Sequence, residues 1–460
     1  MTEGVPFDLS APRRIHLVGI GGAGMSAIAT VLSAMGHTVT GSDLKASLTL
    51  ERLVAAGVQV SVGHRAENLG SADAVAVSTA VPRSNPEVAR ARQRGIPVLS
   101  RAQILAAVVD TRRTVAVAGT HGKTTSCSML ALVLVEAGLR PSFIVGGELN
   151  EIGTGAVWDD GEWLAVEADE SDGTFLHITP EMVLVTNVEP DHIEHYGSFE
   201  ALVGAFETFL TEASGARIVC ADDPVAARLG AQLGAISYGM SRSSTYRMIE
   251  VESRRSNTSF SLEHEGRLLG RLELPVPGLH NATNATGAVV AGLALGADMA
   301  AAQRALARFA GVARRFQFRG EQGGVSFVDD YAHLPGEVAA TLAAARSGGW
   351  RRIVCAFQPH RYSRTATLWR DFADAFEGAD VVLVTDVYPA GERPRPGVSG
   401  QLVAQAVRDA HPGRHVMYVP GRAALLTELR RTLEAGDLCL TLGAGDLTSL
   451  PDELLVDAAW

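Results

Sequence analysis

The segment Val115-Ala-Val-Ala-Gly-Thr-His-Gly-Lys-Thr-Thr-Ser126 decides the fold of this chain. Its apolar start predicts a buried strand, its glycines predict a tight turn, and the residues from Thr124 to Ala137 predict a helix. Backbone N–H groups of such a turn bind phosphate oxygens, and the N-terminus of the following helix adds partial positive charge. The segment therefore predicts a central, P-loop ATPase-like domain with a mostly parallel sheet.

The lysine of this turn strengthens the interpretation. Of 40 basic residues in the chain, only Lys45 and Lys123 are lysines. A compact ammonium suits a crowded phosphate site, where a planar guanidinium is a poor replacement. Thr124 or Thr125 offers a hydroxyl to Mg²⁺. Val117 stands where the complete P-loop pattern has a glycine, so a structural turn with a surface lysine is the alternative.

Upstream of this segment, Gly19 to Gly24 fits the pattern G-x-G-x-x-G between a predicted strand and a predicted helix. Asp43 follows about 20 residues later, where dinucleotide-binding folds carry an acid for the ribose. The pattern predicts a Rossmann-like N-terminal domain whose turn accepts a diphosphate. An NAD-dependent oxidoreductase and a turn without any ligand are the alternatives. Further strands are predicted at 59–62, 74–78 and 97–99, with helices at 86–94 and 102–109.

The length of 460 residues predicts three domains rather than one core. We place them at 1–111, 112–313 and 314–460, with residues 111–114 as a polar linker. In the third domain polar residues follow successive apolar strands, which predicts a second Rossmann-like α/β domain with a cleft at the sheet edge. These polar segments are Asp329 to Pro335, Gln358 to Arg364, Thr385 to Gly391 and Gly443 to Asp446.

The net charge of −11 argues against nucleic acid or an anionic membrane as partner. The four cysteines are far apart and lack metal-binding spacing, which favours reduced, buried thiols. The N-terminus has no apolar signal core, and no apolar stretch is long enough to span a bilayer. We therefore expect a soluble cytoplasmic protein, either monomer or homodimer.

Carboxylates and histidines follow the next two predicted strands. Glu167 to Asp172 holds four carboxylates in six residues after the strand 163–166, and Glu189 to His195 follows the strand 182–188. A solvated acidic loop is the alternative for the first group. Its position downstream of a phosphate loop instead favours metal binding. Since no further Cys or His partner lies near His192 and His195, we expect one histidine on a phosphate-bound Mg²⁺ and no zinc site.

Two further features complete the central domain. Alternating residues from 246 to 274 predict an antiparallel ribbon with Gly266 near its turn. Asn281 and Asn284 lie one helical turn apart, within reach of a nucleotide base or of a backbone end, and helix capping is the alternative role.

Taken together in chain order, these motifs resemble the Mur ligases. The resemblance rests on ten segments: 19–28, 119–125, 167–172, 186–192, 280–284, 314–317, 329–333, 358–364, 388–392 and 443–446. It is most similar to the alanine-adding branch, because several relatives that add later residues use a carbamylated lysine and this chain has no lysine after Lys123. The chain departs from the family pattern in the third-domain motif 329–333. The family is expected to have a polar residue after the histidine, whereas this chain has Leu334 after His333.

The resemblance implies an ATP-dependent ligase that joins L-alanine to the lactyl carboxylate of UDP-N-acetylmuramate through an acyl phosphate. The resemblance then implies that ATP is a co-substrate. It implies that the cofactor is Mg²⁺, which Mn²⁺ can replace. The partners are UDP-N-acetylmuramate, L-alanine and ATP. The rival hypotheses are a related ligase that adds a tripeptide or another amino acid, and a non-catalytic UDP-sugar-binding regulator.

Residue by residue, the resemblance implies four groups of site residues. Catalytic roles fall to Lys123, Glu167, His192 and His333, and metal binding to Thr124, Glu167 and His192. The expected ATP site comprises Gly119, Thr120, His121, Gly122, Lys123, Thr124, Thr125, Asn281, Asn284, Arg315 and Asp330. The expected UDP-sugar site comprises Gly21, Gly22, Ala23, Gly24, Asp43, His64, Ser78 and Thr79. The expected amino-acid pocket comprises Tyr331, His333, Arg361 and Arg364.

Overall fold

The computed structural model describes residues 7–254, 257–346 and 348–456, which form three β-sheets with helices between their strands. These residues make two compact units. The first falls in the ranges Met1–Glu250, Phe260–Leu272 and Thr283–Phe309, and the second in Val251–Ser259, Glu273–Ala282 and Ala310–Trp460.

The first sheet has five parallel strands in the order β3-β2-β1-β4-β5. Its core consists of aliphatic side chains from alternate strand positions and from the helices on its faces. The strands are β1 Arg14–Val18, β2 Thr38–Asp43, β3 Gln59–Val62, β4 Ala74–Val77 and β5 Val98–Ser100. The helices are α1 Ala23–Ala34, α2 Leu48–Ala55, α3 Pro86–Gln93 and α4 Arg101–Val109, with a 3₁₀ turn at Ala66–Leu69.

The second sheet has ten strands in the order β15-β14-β13-β12-β11-β10-β6-β9-β7-β8, and the strands from β13 to β7 run parallel. The strands are β6 Arg113–Ala118, β7 Ser142–Leu149, β8 Thr154–Val157, β9 Trp163–Glu167, β10 Met182–Val185, β11 Arg217–Cys220, β12 Ile236–Gly239, β13 Tyr246–Ser253, β14 Thr258–His264 and β15 Arg267–Leu274. The helices are α5 Lys123–Glu136, α6 Ile193–Tyr196, α7 Phe199–Glu212, α8 Pro224–Leu233, α9 Leu279–Ala294 and α10 Met299–Ala307, with a 3₁₀ turn at Thr174–His177.

The third sheet has six strands in the order β16-β17-β21-β18-β19-β20, all parallel except the edge strand β16. The strands are β16 Gln317–Gln322, β17 Val325–Asp330, β18 Arg352–Phe357, β19 Val381–Val384, β20 His415–Tyr418 and β21 Asp437–Leu442. The helices are α11 Pro335–Arg346, α12 Tyr362–Leu368, α13 Gly400–Ala410, α14 Arg422–Thr432 and α15 Leu450–Val456, with a 3₁₀ turn at Asp446–Ser449.

The predicted polar linker at 111–114 is partly wrong, because β6 begins at Arg113. The charge of Arg113 is accommodated at the start of the strand by Glu162 and Glu181, and its guanidinium lies 4.2 Å from the centre of the Trp163 ring. Thr114 is buried, at 1% exposure. A pair of arginines therefore marks a linker only when no acidic partner lies on the neighbouring strand or loop.

Two other expectations have simple outcomes. The ribbon predicted over 246–274 is a set of three neighbouring strands, β13 to β15. Gly266, with a φ of 80°, lies in the turn that joins the last two.

Over the described residues, the longest apolar helices fall short of the length and hydropathy that a membrane crossing requires.

The core of the third sheet provides a stability test. Phe357 is fully buried, and its ring centre lies 5.2 Å from those of Phe372 and Phe376. We expect Phe357→Ala to lower the free energy of unfolding by about 3–5 kcal/mol, because the transfer and cavity terms add. Urea denaturation measures this loss. Phe318 is 61% exposed in the same sheet, so Phe318→Ala is the matched control, and an equal effect of both changes would contradict the packing.

Candidate active site

The turn after β6 requires glycine at Gly119. This residue has a φ of 135°, and a Cβ atom on it would lie 2.1 Å from Thr186 Oγ1. Asn187 holds the next two residues, because its carbonyl accepts from Thr120 N at 3.1 Å and its Oδ1 from His121 N at 2.8 Å. The turn is thus tied to the loop that follows β10, its neighbour in the sheet.

Lys123 is the first residue of α5 and lies inside this turn. Its Nζ donates to Gly119 O at 2.7 Å, to Thr120 O at 3.3 Å and to Glu170 Oε1 at 2.7 Å. Burial by itself would lower the pKa of the ammonium, but Glu170 and other carboxylates raise it. Lys123 therefore keeps its positive charge although its side chain is only 14% exposed.

Glu170 is a site residue that the sequence analysis did not single out. Among the four carboxylates of the run from Glu167 to Asp172 it is the buried one, at 1% exposure. Burial raises the pKa of Glu170, against the lowering effect of Lys123. Its Oε2 is buried and makes no hydrogen bond within the described part of the chain. The dense acidic run signals a functional loop, but only burial distinguishes this member.

Thr124 and Glu167 meet beside the lysine. Thr124 Oγ1 donates to Glu167 Oε1 at 2.9 Å, and Gly146 N donates to Glu167 Oε2 at 2.6 Å. A hydroxyl at a helix N-terminus and a carboxylate at a strand end therefore present oxygen atoms at one point, and oxygen is the ligand that Mg²⁺ prefers. Thr125, the next residue of α5, is buried.

His192 lies near the same carboxylates, held by an unusual backbone conformation. Its φ is 53°, in the left-handed region that few non-glycine residues adopt. Its Nε2 is 3.1 Å from Asp191 Oδ2 and 4.0 Å from Glu170 Oε1. The structure thus brings Lys123, Glu167 and His192 to one sheet edge, as the sequence predicts from their positions after parallel strands.

The two asparagines of α9 differ in their contacts. Asn284 lies against the glycine turn after β6, since a Cβ atom on Gly122 would come 2.3 Å from its Oδ1. Asn281 Nδ2 donates to Pro277 O at 2.7 Å, a contact with the backbone just before the helix. Asn281 thus contacts the backbone end before the helix as a donor, whereas a capping side chain accepts an N–H bond, and Asn284 is the one placed beside the turn.

In the first sheet, Asp43 and the glycine turn are joined directly. Gly21 N donates to Asp43 Oδ2 at 2.8 Å, and Gly19 N donates to Ser42 O at 2.9 Å. Gly22 caps α1, of which Ala23 is the first residue. Ser78 follows β4, and its Cβ would lie 3.0 Å from a Cβ on Gly19. Thr79 next to it is exposed.

A buried carboxylate lies beneath this edge. Glu87, in the first turn of α3, has no exposed surface and accepts hydrogen bonds from Ser42 Oγ at 2.6 Å, Asn68 Nδ2 at 2.6 Å and Arg65 N at 3.1 Å. Burial acts to raise its pKa, but these hydrogen bonds and His16 hold the pKa of Glu87 at about 2. Sequence reasoning missed Glu87, because a glutamate in the first turn of a helix is ordinarily a solvated residue.

Arg101 connects the two sheets of the first unit. It begins α4, and its NH2 group lies 3.2 Å from Asp169 Oδ2 and 3.1 Å from Asp172 Oδ2. Its NH1 group would lie 3.0 Å from a Cβ on Gly24. The guanidinium therefore lies between the glycine turn of the first sheet and the acidic run of the second, which makes Arg101 a further residue that sequence reasoning missed.

In the second unit, two arginines lie over one tyrosine ring. The guanidinium carbons of Arg314 and Arg315 are 4.8 and 5.2 Å from the centre of the Tyr331 ring. Neighbouring Asp330 is buried and accepts from Phe316 N at 2.6 Å and Ala332 N at 2.7 Å. Burial raises the pKa of Asp330 to about 6, against the lowering effect of Arg315.

His333 is held at the start of α11. Its backbone N donates to Glu337 Oε2 at 2.9 Å, and its Nδ1 lies 3.1 Å from Tyr331 O. Burial lowers the pKa of His333 to about 4, so its ring is neutral near pH 7. The departure at Leu334 has a structural explanation, because this side chain is buried, at 6% exposure, and its N–H donates to the same Glu337 carboxylate at 3.1 Å.

Arg361 and Arg364 follow β18 near the same histidine. Arg361 has a φ of 67°, and its N–H donates to Tyr388 O at 2.8 Å. Arg364 NH1 is 3.3 Å from His360 Nδ1, and the His360 ring centre is 5.5 Å from that of His333. Two cationic side chains and a neutral histidine thus line the edge of the third sheet.

One other group of candidate metal ligands occurs in the described ranges. Asp374, Glu377 and His411 each place a ligand atom within 4.8 Å of the others. The two acids are exposed, and His411 Nε2 already lies 2.9 Å from Asp374 Oδ1. We assign it no role.

Comparison with known proteins gives matches along almost the whole chain. The family model for the Mur ligase family, catalytic domain, matches residues 14–113, that for the Mur ligase middle domain matches 117–292, and that for the Mur ligase, glutamate ligase domain, matches 314–445. The matches confirm the predicted family resemblance and the three-domain α/β fold. The boundaries 1–111, 112–313 and 314–460 stay a prediction.

Named relatives agree with the family models. The chain is 48% identical over 440 residues to a UDP-N-acetylmuramate--L-alanine ligase of Solidesulfovibrio magneticus, covering 95% of this chain and 96% of the relative. It is 46% identical over 450 residues to the enzyme of that name from Anaeromyxobacter dehalogenans, covering 97% and 98%.

Solved structures show the same likeness. UDP-N-acetylmuramate-alanine ligase MurC from Thermotoga maritima superposes with a TM-score of 0.81 at 30% identity, covering 96% of this chain and 98% of that one. A murein peptide ligase from Psychrobacter arcticus has a TM-score of 0.71 at 24% identity, covering 96% and 98%, and supports the fold alone.

The pKa of Glu87 predicts a pH dependence of stability. Its value falls from the ordinary 4.5 to about 2 in the folded protein, so its contribution is fully present above pH 4.5 and is lost as the pH falls through 2. The contribution is on the order of 3 kcal/mol. We expect the difference in free energy of unfolding between the wild type and Glu87→Gln, measured by urea denaturation, to shrink across that window. A difference independent of pH would contradict the ionised, hydrogen-bonded carboxylate.

Proposed function

This chain belongs to the Mur ligase family, and we propose that it joins L-alanine to the lactyl carboxylate of UDP-N-acetylmuramate at the expense of ATP. The full-length likeness to ligases of that name carries the proposal. The charged lysine in the glycine turn and the neutral histidine beside two arginines supply the chemistry that such a reaction requires. Four free, buried cysteines support a cytoplasmic location.

The reaction has two bond-forming steps. A carboxylate oxygen of the sugar attacks the γ-phosphorus of ATP, and the bond from that phosphorus to the β–γ bridging oxygen breaks. ADP departs, and the sugar carboxylate has become an acyl phosphate. The amine nitrogen of alanine then attacks the acyl carbon, phosphate leaves, and the nitrogen loses its proton. Neither step forms a bond to the enzyme, so positioning of three reactants is the main contribution of the protein, with effective molarities of about 10⁵ M or more in well-oriented cases.

The ATP site would form at the turn after β6. The Lys123 ammonium would bind the outer phosphates in exchange for part of its contact with Glu170, and the glycine turn and Thr125 would surround them. Asn284, which already lies against Gly122, is the better placed of the two asparagines for the nucleotide. Arg315 and Asp330 are the proposed nucleotide contacts of the C-terminal domain.

Magnesium fits the oxygen atoms beside the lysine. Thr124 Oγ1 and Glu167 Oε1 are 2.9 Å apart, and Mg²⁺ is typically held by one or two carboxylates together with substrate phosphates and water. Thr124 and Glu167 would hold one ion, and Glu167 with His192 a second. Bound Mg²⁺, or Mn²⁺ in its place, reduces the repulsion between the sugar carboxylate and the triphosphate.

The amino acid would bind at the edge of the third sheet. Arg361 and Arg364 are guanidinium groups suited to the carboxylate of alanine. Tyr331, whose ring centre lies 5.4 Å from that of His333, is the proposed wall of the pocket. Since burial keeps His333 neutral, its ring has a lone pair that accepts the proton of the attacking amine.

The UDP-sugar would bind at the edge of the first sheet. The glycine turn from Gly21 to Gly24 would meet the diphosphate, and Asp43 the ribose. His64, Ser78 and Thr79 complete the proposed site. Monomer and homodimer are both compatible with it.

A comparison of amino-acid acceptors tests the proposal. Phosphate release is measured with ATP, UDP-N-acetylmuramate and either L-alanine, glycine, L-serine or a tripeptide. We expect the highest kcat/KM with L-alanine and a decrease of ~10-fold or more with glycine, because one methyl group contributes only ~1–3 kcal/mol of discrimination. A preference for the tripeptide would assign the chain to another branch of the family. Absence of phosphate release with every acceptor would favour a binding regulator.

Replacement of the buried lysine tests the phosphate site. We expect Lys123→Ala to lower kcat by at least ~10²-fold, about 2.7 kcal/mol of transition-state stabilisation, because no other ammonium lies in the turn. Steady-state kinetics and circular dichroism measure turnover and fold. Lys45 is the other lysine of the chain and is exposed, so Lys45→Ala is the matched control with unchanged kcat. Turnover of Lys123→Ala within a few-fold of the control would remove Lys123 from the mechanism.

A further inference from the structure

The carboxylate of Glu87 has a defined set of hydrogen-bond donors. Oε1 accepts from Asn68 Nδ2 and from Arg65 N, while Oε2 accepts from Ser42 Oγ. The orientation of the Asn68 amide is itself fixed, because Nδ2 also donates to Gly63 O at 2.9 Å. An ionised carboxylate only accepts, so every one of these bonds has a known direction.

The direction of the hydrogen bond from Ser42 to Glu87 determines which ring nitrogen of His64 carries the hydrogen. The single hydroxyl hydrogen of Ser42 points to Glu87, at an oxygen–oxygen distance of 2.6 Å. The contact between Ser42 Oγ and His64 Nδ1, at 2.9 Å, then requires that Nδ1 carry the hydrogen and donate. In a neutral ring with Nδ1 protonated, Nε2 has a free lone pair and acts as an acceptor.

The place of His64 in the sheet shows what it would meet. The strand order β3-β2-β1 places the glycine turn after β1, Asp43 at the end of β2 and His64 just after β3. In such a sheet the diphosphate meets the turn after the first strand and the ribose meets the acid near the end of the second. This leaves the end of β3 for the base of a bound nucleotide. Exposed apolar side chains at this edge, Leu44 at 70% and Val62 at 51%, suit the flat faces of a base.

We infer that Glu87 is a positioning residue that, through Ser42, fixes His64 as a hydrogen-bond acceptor for the N3–H group of a uracil base. This inference rests on the proposed UDP-sugar function. Uracil carries a hydrogen at N3, whereas cytosine presents a lone pair there, so an acceptor at His64 favours uridine over cytidine nucleotides. Ser42 also anchors the glycine turn through its carbonyl, which accepts from Gly19 N and Ile20 N.

The substitution Glu87→Gln reverses the direction of these hydrogen bonds. The glutamine oxygen must face Asn68 Nδ2 and Arg65 N, which are donors, so the amide nitrogen faces Ser42. Ser42 then accepts from this amide and donates to His64 Nδ1, which moves the ring hydrogen to Nε2. His64 becomes a donor and loses its complementarity to uracil N3–H.

Calorimetric titration of the full-length protein with UDP and with CDP tests the inference. We expect the wild type to bind UDP more tightly than CDP, and Glu87→Gln to weaken UDP at least ~10-fold and to bring the ratio of the two dissociation constants close to one. Glu67→Gln is the matched control at an exposed glutamate of the neighbouring turn and leaves both constants unchanged. An equal weakening of UDP and CDP would indicate a purely structural role and overturn the inference.

A spectroscopic measurement on the wild type tests the tautomer of His64 directly. A variant is needed only to assign the histidine signal. Nitrogen NMR of ¹⁵N-histidine-labelled protein, with His64→Gln for assignment, reports the tautomer of His64. We expect protonated Nδ1 in the wild type, and an Nε2–H tautomer in the wild type would overturn the inference. A wild type that binds no UDP would refute the proposed function and this inference together, whereas normal UDP binding with an unchanged ratio in Glu87→Gln would refute this inference alone.

Discussion

The ion pair between Lys123 and Glu170 is the constraint on which the central site depends. An ammonium inside a glycine turn loses most of its hydration, and a buried charge is stable only with a partner of opposite sign. Glu170 provides that partner at 2.7 Å, and two carbonyl oxygens of the turn complete the contacts of the ammonium. In the proposed function a triphosphate would offer the same ammonium a more negative partner, and the ammonium already carries its charge before the nucleotide binds.

Parallel sheets explain why separate segments of the chain meet at this ion pair. β6, β9 and β10 are neighbours in the second sheet, and the loops that leave their carboxyl ends carry the lysine, the acids and His192. The same rule holds in the first sheet, where the glycine turn follows β1, Asp43 ends β2 and His64 follows β3. Residues distant in sequence therefore lie at the same edge of a sheet because their strands run parallel.

Buried polar groups are the second means by which this fold prepares its sites. Glu87 and Asp330 are both buried carboxylates, yet the pKa of the first is about 2 and that of the second about 6. The difference follows from their partners. For Glu87, hydrogen bonds from several donors outweigh the effect of burial, whereas burial dominates at Asp330. Each carboxylate accepts hydrogen bonds from several neighbouring donors, which lets it orient the groups around it.

The sequence by itself determined the alternation of strands and helices around the two glycine turns and the lysine among arginines, because periodicity, turn chemistry and composition are local properties. It also placed Glu167 and His192 at strand ends. Only the tertiary structure decided which of four acids pairs with Lys123, that Arg113 begins a strand, and that Glu87 is buried beneath His64. These outcomes depend on burial and on contacts between residues far apart in the chain, such as the 47 positions between Lys123 and Glu170, and no local pattern records them.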